Sequence, residues 1–307
     1  MIVVTGASGL LGASVVLLAR ERKREVVGVC HRHLLRIPET KICAVNLADR
    51  QAMRTLLAST QPKSIIHCAA ITNVDWCQTH PEETERANVE ASSHLAELAQ
   101  ELNANFAYIS TDSVFDGKRG NYSENDPPHP QSVYAKSKLR GEQEVLRRHS
   151  SPLIVRVNIY GWNAQPKQSL AEWVLDEIRA GRRVHGFDDV YFCPMLANDL
   201  AEVLLTMLDH DLTGIYHVVG SERISKFEFA RRVARTFNLA TDSVATMSIV
   251  EARLLAARPL DPSLNTEKVR AALGRVMPDV ESGLLRFRAL DQSGYRNQLR
   301  SFLVSVC

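Results

Sequence analysis

The 307-residue sequence has no apolar run approaching the ~18 residues that a membrane-spanning helix requires. It opens directly on the strand-like Met1-Ile-Val-Val, which leaves no room for a secretory leader, so a cytoplasmic protein is expected. Cys-x-x-Cys is absent. Cys30, Cys43, Cys68, Cys77, Cys193 and Cys307 are scattered, which argues against a disulfide framework and a zinc site and leaves most of them as small apolar core residues. Neither sign of charge is in excess: 37 Lys and Arg face 35 Asp and Glu, for a net charge of +2, with no basic block or acidic tail. Nucleic acid and membrane surfaces are therefore not expected as partners, and the short run Arg20–Arg24 reads as the solvated end of a helix. Repeats, low-complexity tracts and flexible linkers are also missing. With 45% hydrophobic residues, the chain can form one large or two medium domains with a real core.

What is present is an alternation of strands and helices. Ile2–Val4 is a β-branched run that leads into Thr5-Gly6-Ala7-Ser8-Gly9-Leu10-Leu11-Gly12, after which Ala13–Arg20 has helical apolar spacing. A glycine triplet alone marks no more than a turn. Between a strand and a helix it lets the backbone approach a pyrophosphate and directs helix N-terminal amides at it. The next apolar run, Glu25–Cys30, ends on Cys30-His31-Arg32-His33, where a dinucleotide fold reads the ribose; a basic residue there suits a 2′-phosphate, so Arg32 predicts NADP, with NAD as the lesser option. The plain alternative is a solvated loop. Ile42–Val45, a helix capped by Asp49 and the strand Ser64–Cys68 continue the pattern, and the small residues Ala69 and Ala70 after Cys68 could floor a cofactor site. A long helix is expected over Pro81–Leu102, with His94 packed on its apolar stripe.

Phe106–Ser110 reads as a strand ending in Thr111-Asp112-Ser113, and a loop rich in Pro and Gly leads to Val133-Tyr-Ala-Lys-Ser-Lys138. On a helix Tyr134 and Lys138 share one face, so the ammonium should favour the phenolate and lower the tyrosine pKa toward working pH. Such a pair is common by chance and gains meaning only from the elements before it. The fold class expected is α/β, a Rossmann-type doubly wound parallel sheet over residues 1–157 with a return segment at 191–210. Residues 158–307 would form mainly a smaller C-terminal α/β substrate-binding part. A capping box should open a helix at Ser225, and Arg286–Arg300 is a helix-like segment whose arginines read as a solvated face or an interface.

Three motifs together, Thr-Gly-x-x-Gly-x-x-Gly at 5–12, Ser-Thr-Asp-x-Val-Phe-Asp-Gly at 110–117 and Tyr-x-x-Ser-Lys-x-x-Gly-Glu at 134–142, resemble an extended short-chain dehydrogenase/reductase. Within it the chain is most similar to the dTDP-4-dehydrorhamnose reductase family, through His67-Cys-Ala-Ala-Ile-Thr-Asn-Val-Asp75 and Arg258-Pro259 with Leu264-Asn-Thr-Glu-Lys268. The resemblance implies Tyr134 as proton donor to a sugar ketone, Lys138 on the nicotinamide ribose and Thr111 on the substrate oxygen. It further implies Gly6, Ser8, Gly9, Leu10, Leu11 and Gly12 around the pyrophosphate, Asn46 and Leu47 beside the adenine, and Cys68, Ala69 and Ala70 beneath the cofactor. Asp75, Asp112, Ser113, Trp162 and Arg258 are the implied contacts of a nucleotide-sugar substrate; a homodimer stands open. Asn46 replaces the family's usual Asp, Ser113 its tyrosine, and Arg156-Val-Asn-Ile-Tyr-Gly161 its Arg-Thr-Ser-Trp stretch, so substrate identity departs more than chemistry. Three readings follow: an NADP(H)-dependent reductase of a nucleotide-linked 4-keto-6-deoxy sugar, a sugar-nucleotide epimerase, and a non-catalytic regulatory subunit like the methionine adenosyltransferase beta subunit, which resembles the same family.

Overall fold

The computed structural model describes residues 1–304, so Cys307 lies outside the described residues. Six strands, β1 (Ile2–Thr5), β2 (Val26–Cys30), β3 (Lys41–Ala44), β4 (Ser64–His67), β5 (Asn105–Thr111) and β6 (Leu153–Val157), join Gly214–His217 in one seven-stranded sheet. Every pairing in it is parallel, and the order runs from Gly214–His217 through β6, β5, β4, β1 and β2 to β3. The chain thus winds outward in both directions from β1 and β4, and a doubly wound sheet opens its crevice where the direction reverses.

Parallel strands buried on both faces read as continuous apolar runs, and these do. Val3, Ile65, Phe106 and Ile154 pack with Met53 and Leu57 of the helix Arg50–Thr60 and with Leu95 and Leu98 of the helix Ala91–Glu101. Their neighbours Val4, Ile66, Ala107 and Val155 join the opposite core, with Val15 and Val16 of the helix Leu10–Glu21 and Leu204 of the helix Ala197–Asp209. Chain re-entry continues past residue 210, because Gly214–His217 adds the outermost strand beside β6. The remaining part pairs Val184–Phe187 in parallel with Val244–Met247 and packs them on the helix Lys226–Thr236. The C-terminal end then returns to the first layer, where Val304 N–H donates to Leu34 O over 2.9 Å.

Three elements depart from the sequence reading. The long helix over 81–102 is interrupted: Pro81–Glu85 is followed by a π-helical turn, Arg86–Glu90, before Ala91–Glu101. Asn88 explains the insertion. Its side chain accepts from Ile71 N–H (2.8 Å) and donates to Ile71 O (3.0 Å) and Ser137 Oγ (3.0 Å), contacts an unbroken α-helical register would misdirect. The segment 286–300 is likewise two helices, Val280–Gln292 and Tyr295–Ser301, broken at Gly294 with φ +80°. Three of its arginines serve the protein's own acids, Arg286 pairing with Asp199 and Glu202, Arg296 with Asp176, and Arg300 with Glu172. At Ser225 the side chain accepts from Glu228 N–H, one half of the expected capping box. Among the described residues no helix is long and apolar enough to cross a membrane.

Two histidines are locked inside this core. His67 bridges Thr5 Oγ1 (2.6 Å) and Ser92 Oγ (3.0 Å), and His217 bonds Tyr122 O (3.0 Å). Burial first, then the nearby Lys138 or Arg156 charge, drives each imidazole down to about 3. The unfolded chain takes up these protons near pH 6.5 and the folded one does not, so stability falls as pH drops from 6.5 toward 3. Each histidine contributes up to about 1.4 kcal/mol per pH unit. Urea unfolding of His217→Asn should show a pH slope between 6 and 4 shallower by about that amount; an unchanged slope would contradict the assignment.

Candidate active site

The crevice between β1 and β4 is a cleft of about 820 Å³. Its lining includes Gly6, Ser8, Gly9, Arg32, Asn46, Leu47, Cys68, Ala69 and Ala70. Gly6 has φ +66°, and a Cβ there would lie 2.7 Å from Ala69 N, so the turn after β1 and the end of β4 meet backbone to backbone. Gly12 plays a different part: its Cβ would come within 2.2 Å of Gly6 O, so it lets the helix Leu10–Glu21 start against the turn without itself lining the cleft. Leu11 is buried in the core, which leaves only its backbone for a ligand. Asn46 Oδ1 accepts from Ala48 N–H (3.1 Å), and its amide nitrogen remains as a donor. At the far end His31, Arg32 and His33 are all exposed.

The catalytic candidates lie beside this cleft rather than in its wall. Ser132 caps the helix Val133–Arg148 by accepting from Ala135 N–H, so Tyr134 falls in the first turn and Lys138 one turn on. Asn88 fixes that turn through Ser137, whose Oγ donates to Tyr134 O (2.7 Å). Around the half-buried phenol stand Thr111, a hydrogen-bonding neighbour, then Asp112 and Cys77. Burial raises the Tyr134 pKa well above its ordinary value, and the Thr111 hydroxyl only partly opposes this. The expected depression by Lys138 is therefore corrected. The ammonium lies 4.0 Å from the centre of the Tyr108 ring, with Glu142 and Cys68 as its electrostatic neighbours, and burial pulls it down to about 7. A buried amine that barely holds its own proton cannot strongly favour a phenolate.

The substrate candidates divide. Asp112 is buried; it accepts from Thr111 Oγ1 (3.1 Å), Ser113 Oγ (3.2 Å) and Asn158 Nδ2 (2.6 Å), so it braces the corner from behind. Burial raises its pKa, opposed by Asn158 and by the charge of Lys226. Asp75 and Arg258 pair with each other at 3.0 Å, and Asp75 also accepts from Ala256 N–H, which pins the loop before Arg258 to the helix Val74–Thr79. Trp162 is core and not a ligand contact: it is 1% exposed, stacks on Phe287 at 4.0 Å and donates its indole N–H to Phe287 O.

Several lining residues escaped the sequence reading. Gln165 donates to Ser8 Oγ (3.1 Å) and Lys167 to Thr72 Oγ1 (2.5 Å), so the segment after Trp162 straps across the cleft. Trp76 and Arg86 line it from the other side. No local pattern marks a glutamine that is 157 residues from its partner. Arg86 opens the π-helical turn within the segment expected as one long helix, a break that the apolar spacing does not announce.

The family model described as the RmlD substrate binding domain matches residues 1–292. The chain belongs to the RmlD substrate binding domain family. Members and neighbours of this family carry different names. The chain is 31% identical to the "Probable low-salt glycan biosynthesis reductase Agl14" of Haloferax volcanii, over 93% of this chain and 96% of that one. It is 34% identical to methionine adenosyltransferase 2 subunit beta of Danio rerio, over 87% and 83% respectively. Its fold superposes on the dTDP-4-dehydrorhamnose reductase of Bacillus anthracis str. Ames, solved in complex with NADP, with a TM-score of 0.84 and 26% identity over 94% and 98% of the two chains. The α/β parallel-sheet architecture of this RmlD-family chain thus agrees with the expected fold class.

The backbone contact at Gly6 predicts a specific sensitivity. Gly6→Ala combines a left-handed φ with a clash against Ala69 and should cost about 1–3 kcal/mol in urea unfolding. Gly181→Ala, at φ +74° with nothing within 4 Å, carries the φ strain alone and should cost less.

Proposed function

We propose that the protein is an NADP(H)-dependent reductase of a nucleotide-linked 4-keto-6-deoxy sugar, with Tyr134 as proton donor. The observation that carries this reading is the meeting of Tyr134 and Thr111 at the carboxyl edge of β5, with Lys138 beside Cys68 at the edge of the cleft. The cleft fits a dinucleotide: it offers about 820 Å³ between the glycine turn at Gly6, Ser8 and Gly9 and the small residues Ala69 and Ala70. Gly6, Ser8 and Gly9 would hold the pyrophosphate, Asn46 and Leu47 the adenine, Arg32 the 2′-phosphate, and Lys138 the nicotinamide ribose. NADPH, when bound, supplies the hydride. The relative of known structure solved with NADP supports this choice of cofactor.

The chain's own groups then do the rest. Thr111 would donate to the ketone oxygen and orient it. Tyr134, kept protonated by burial, would give that oxygen its proton as negative charge develops there, a role typically contributing ~10²–10⁴-fold. Asp112 and Asn158 would brace Thr111 rather than touch the sugar. An epimerase would regenerate its cofactor at every turnover, whereas a reductase consumes it stoichiometrically. The likeness to methionine adenosyltransferase 2 subunit beta favours a second reading, a cofactor-binding regulatory subunit.

Loss of NADPH absorbance, followed across a panel of nucleotide ketosugars, decides among the three. One panel member should be reduced mole for mole, and Tyr134→Phe should lower kcat by ~10²–10⁴ while leaving NADPH affinity intact. Conversion without net NADPH loss would indicate epimerisation, and silence across the panel would favour the regulatory subunit. Arg32→Ala should weaken NADPH binding by about 1–2 kcal/mol in titration calorimetry and leave NADH nearly unchanged; equal losses would remove Arg32 as the phosphate anchor.

A further inference from the structure

Beneath the candidate active site lies a charged cluster that none of the roles above requires. Glu142 follows Lys138 by one helical turn, so the two side chains share a face, and they are 1% and 2% exposed. The carboxylate does not bond the lysine. Its Oε1 accepts from Ser110 Oγ (2.5 Å) and Arg156 Nε (3.0 Å), and its Oε2 accepts from Arg156 Nη2 (2.7 Å). Arg156, on β6, is as dry as its partner. Its remaining fork meets His217 Nε2 at 3.4 Å, and the other ring nitrogen of that histidine bonds Tyr122 O, an arrangement that suits a neutral imidazole donating from Nδ1 and accepting at Nε2.

We propose that Glu142 and Arg156 are positioning residues that set the charge of Lys138, Arg156 neutralising Glu142 so that the lysine remains switchable instead of being fixed as a cation. The groups facing Lys138 make the balance visible. Its own helix carries Tyr134 and Glu142 one turn to either side, β4 and the residue that follows it present His67 and Cys68, and β5 presents Tyr108. All but Glu142 are neutral: burial holds His67 deprotonated and pushes the Cys68 thiol up to about 12. Glu142 is thus the sole counter-charge among them, and Arg156 occupies both of its oxygens. In such a dry setting a carboxylate left free would hold the ammonium protonated, whereas an unopposed guanidinium would drive its proton off. The kinetic consequence rests on the reductase reading, in which Lys138 serves the cofactor; the charge balance does not.

The test is the titration of Lys138 itself, read by NMR from ¹³Cε-labelled lysine in the full chain and assigned with Lys138→Arg. Arg156→Met should raise its midpoint by about one pH unit or more and Glu142→Gln should lower it by a similar amount. Glu142→Gln/Arg156→Met together should return it to within about half a unit of the original. Arg156→Lys, which keeps the charge, should shift it least. Should Arg156→Met alone not fold, the rise on adding it to Glu142→Gln measures the same quantity. Equal midpoints in all variants, or shifts of one sign in the two single variants, would overturn the proposal. Where ketosugar reduction is present, the alkaline limb of kcat/KM should move with the NMR midpoint. A midpoint that moves while turnover is absent leaves the charge balance standing and removes the reductase reading instead.

Discussion

The backbone contact between the turn after β1 and the end of β4 is the constraint on which the rest of this molecule depends. Gly6 approaches Ala69 more closely than any side-chain-bearing residue permits, and that approach fixes both walls of the cleft. It holds only because β1 and β4 pair in register, Thr5 opposite His67, and because His67 ties the two strands and Ser92 together through both ring nitrogens. The imidazole therefore serves as a neutral pin beneath the site, and the acidic limit of the fold follows from the same burial that makes the pin rigid.

Above that pin the chemistry is governed by desolvation more than by pairing. Tyr134, Lys138 and Asp112 all have pKa values displaced first by burial, each away from its charged form. A corner built this way presents a protonated phenol beside a hydroxyl, which suits proton donation to a developing alkoxide. The protein tolerates these dry polar groups because each is braced: Asp112 by Thr111, Ser113 and Asn158, Glu142 by Ser110 and Arg156, and the helix Val133–Arg148 by Asn88 through Ser137. The π-helical turn at 86–90 belongs to the same economy of buried contacts, since it aims Asn88 at Ile71 and Ser137 together.

The remaining polar sequence signals were absorbed by the protein itself. Asp75 and Arg258, implied as ligand groups, pair with each other and hold a loop. Arg286, Arg296 and Arg300 read as a solvated face or an interface, and they clamp the C-terminal helices to Asp199, Glu202, Asp176 and Glu172. Trp162, implied as a contact of the nucleotide sugar, is core. In each case the partner lies far along the chain and so leaves no local pattern.

By itself the sequence determined the alternation of strand and helix, the glycine turn and the placement of Tyr134 and Lys138 on one helical face, because periodicity and turn chemistry act over a few residues. It also carried the family motifs, since these are contiguous. Only the tertiary structure decided that Lys138 would face Tyr108 and Cys68 rather than tune the phenol, that Asp112 would brace instead of bind, and that Gln165 would reach Ser8. The physical reason is common to all three: charge state and contact depend on which distant elements exclude water from a side chain, and burial is a property of the packed fold, not of the neighbouring residues in sequence.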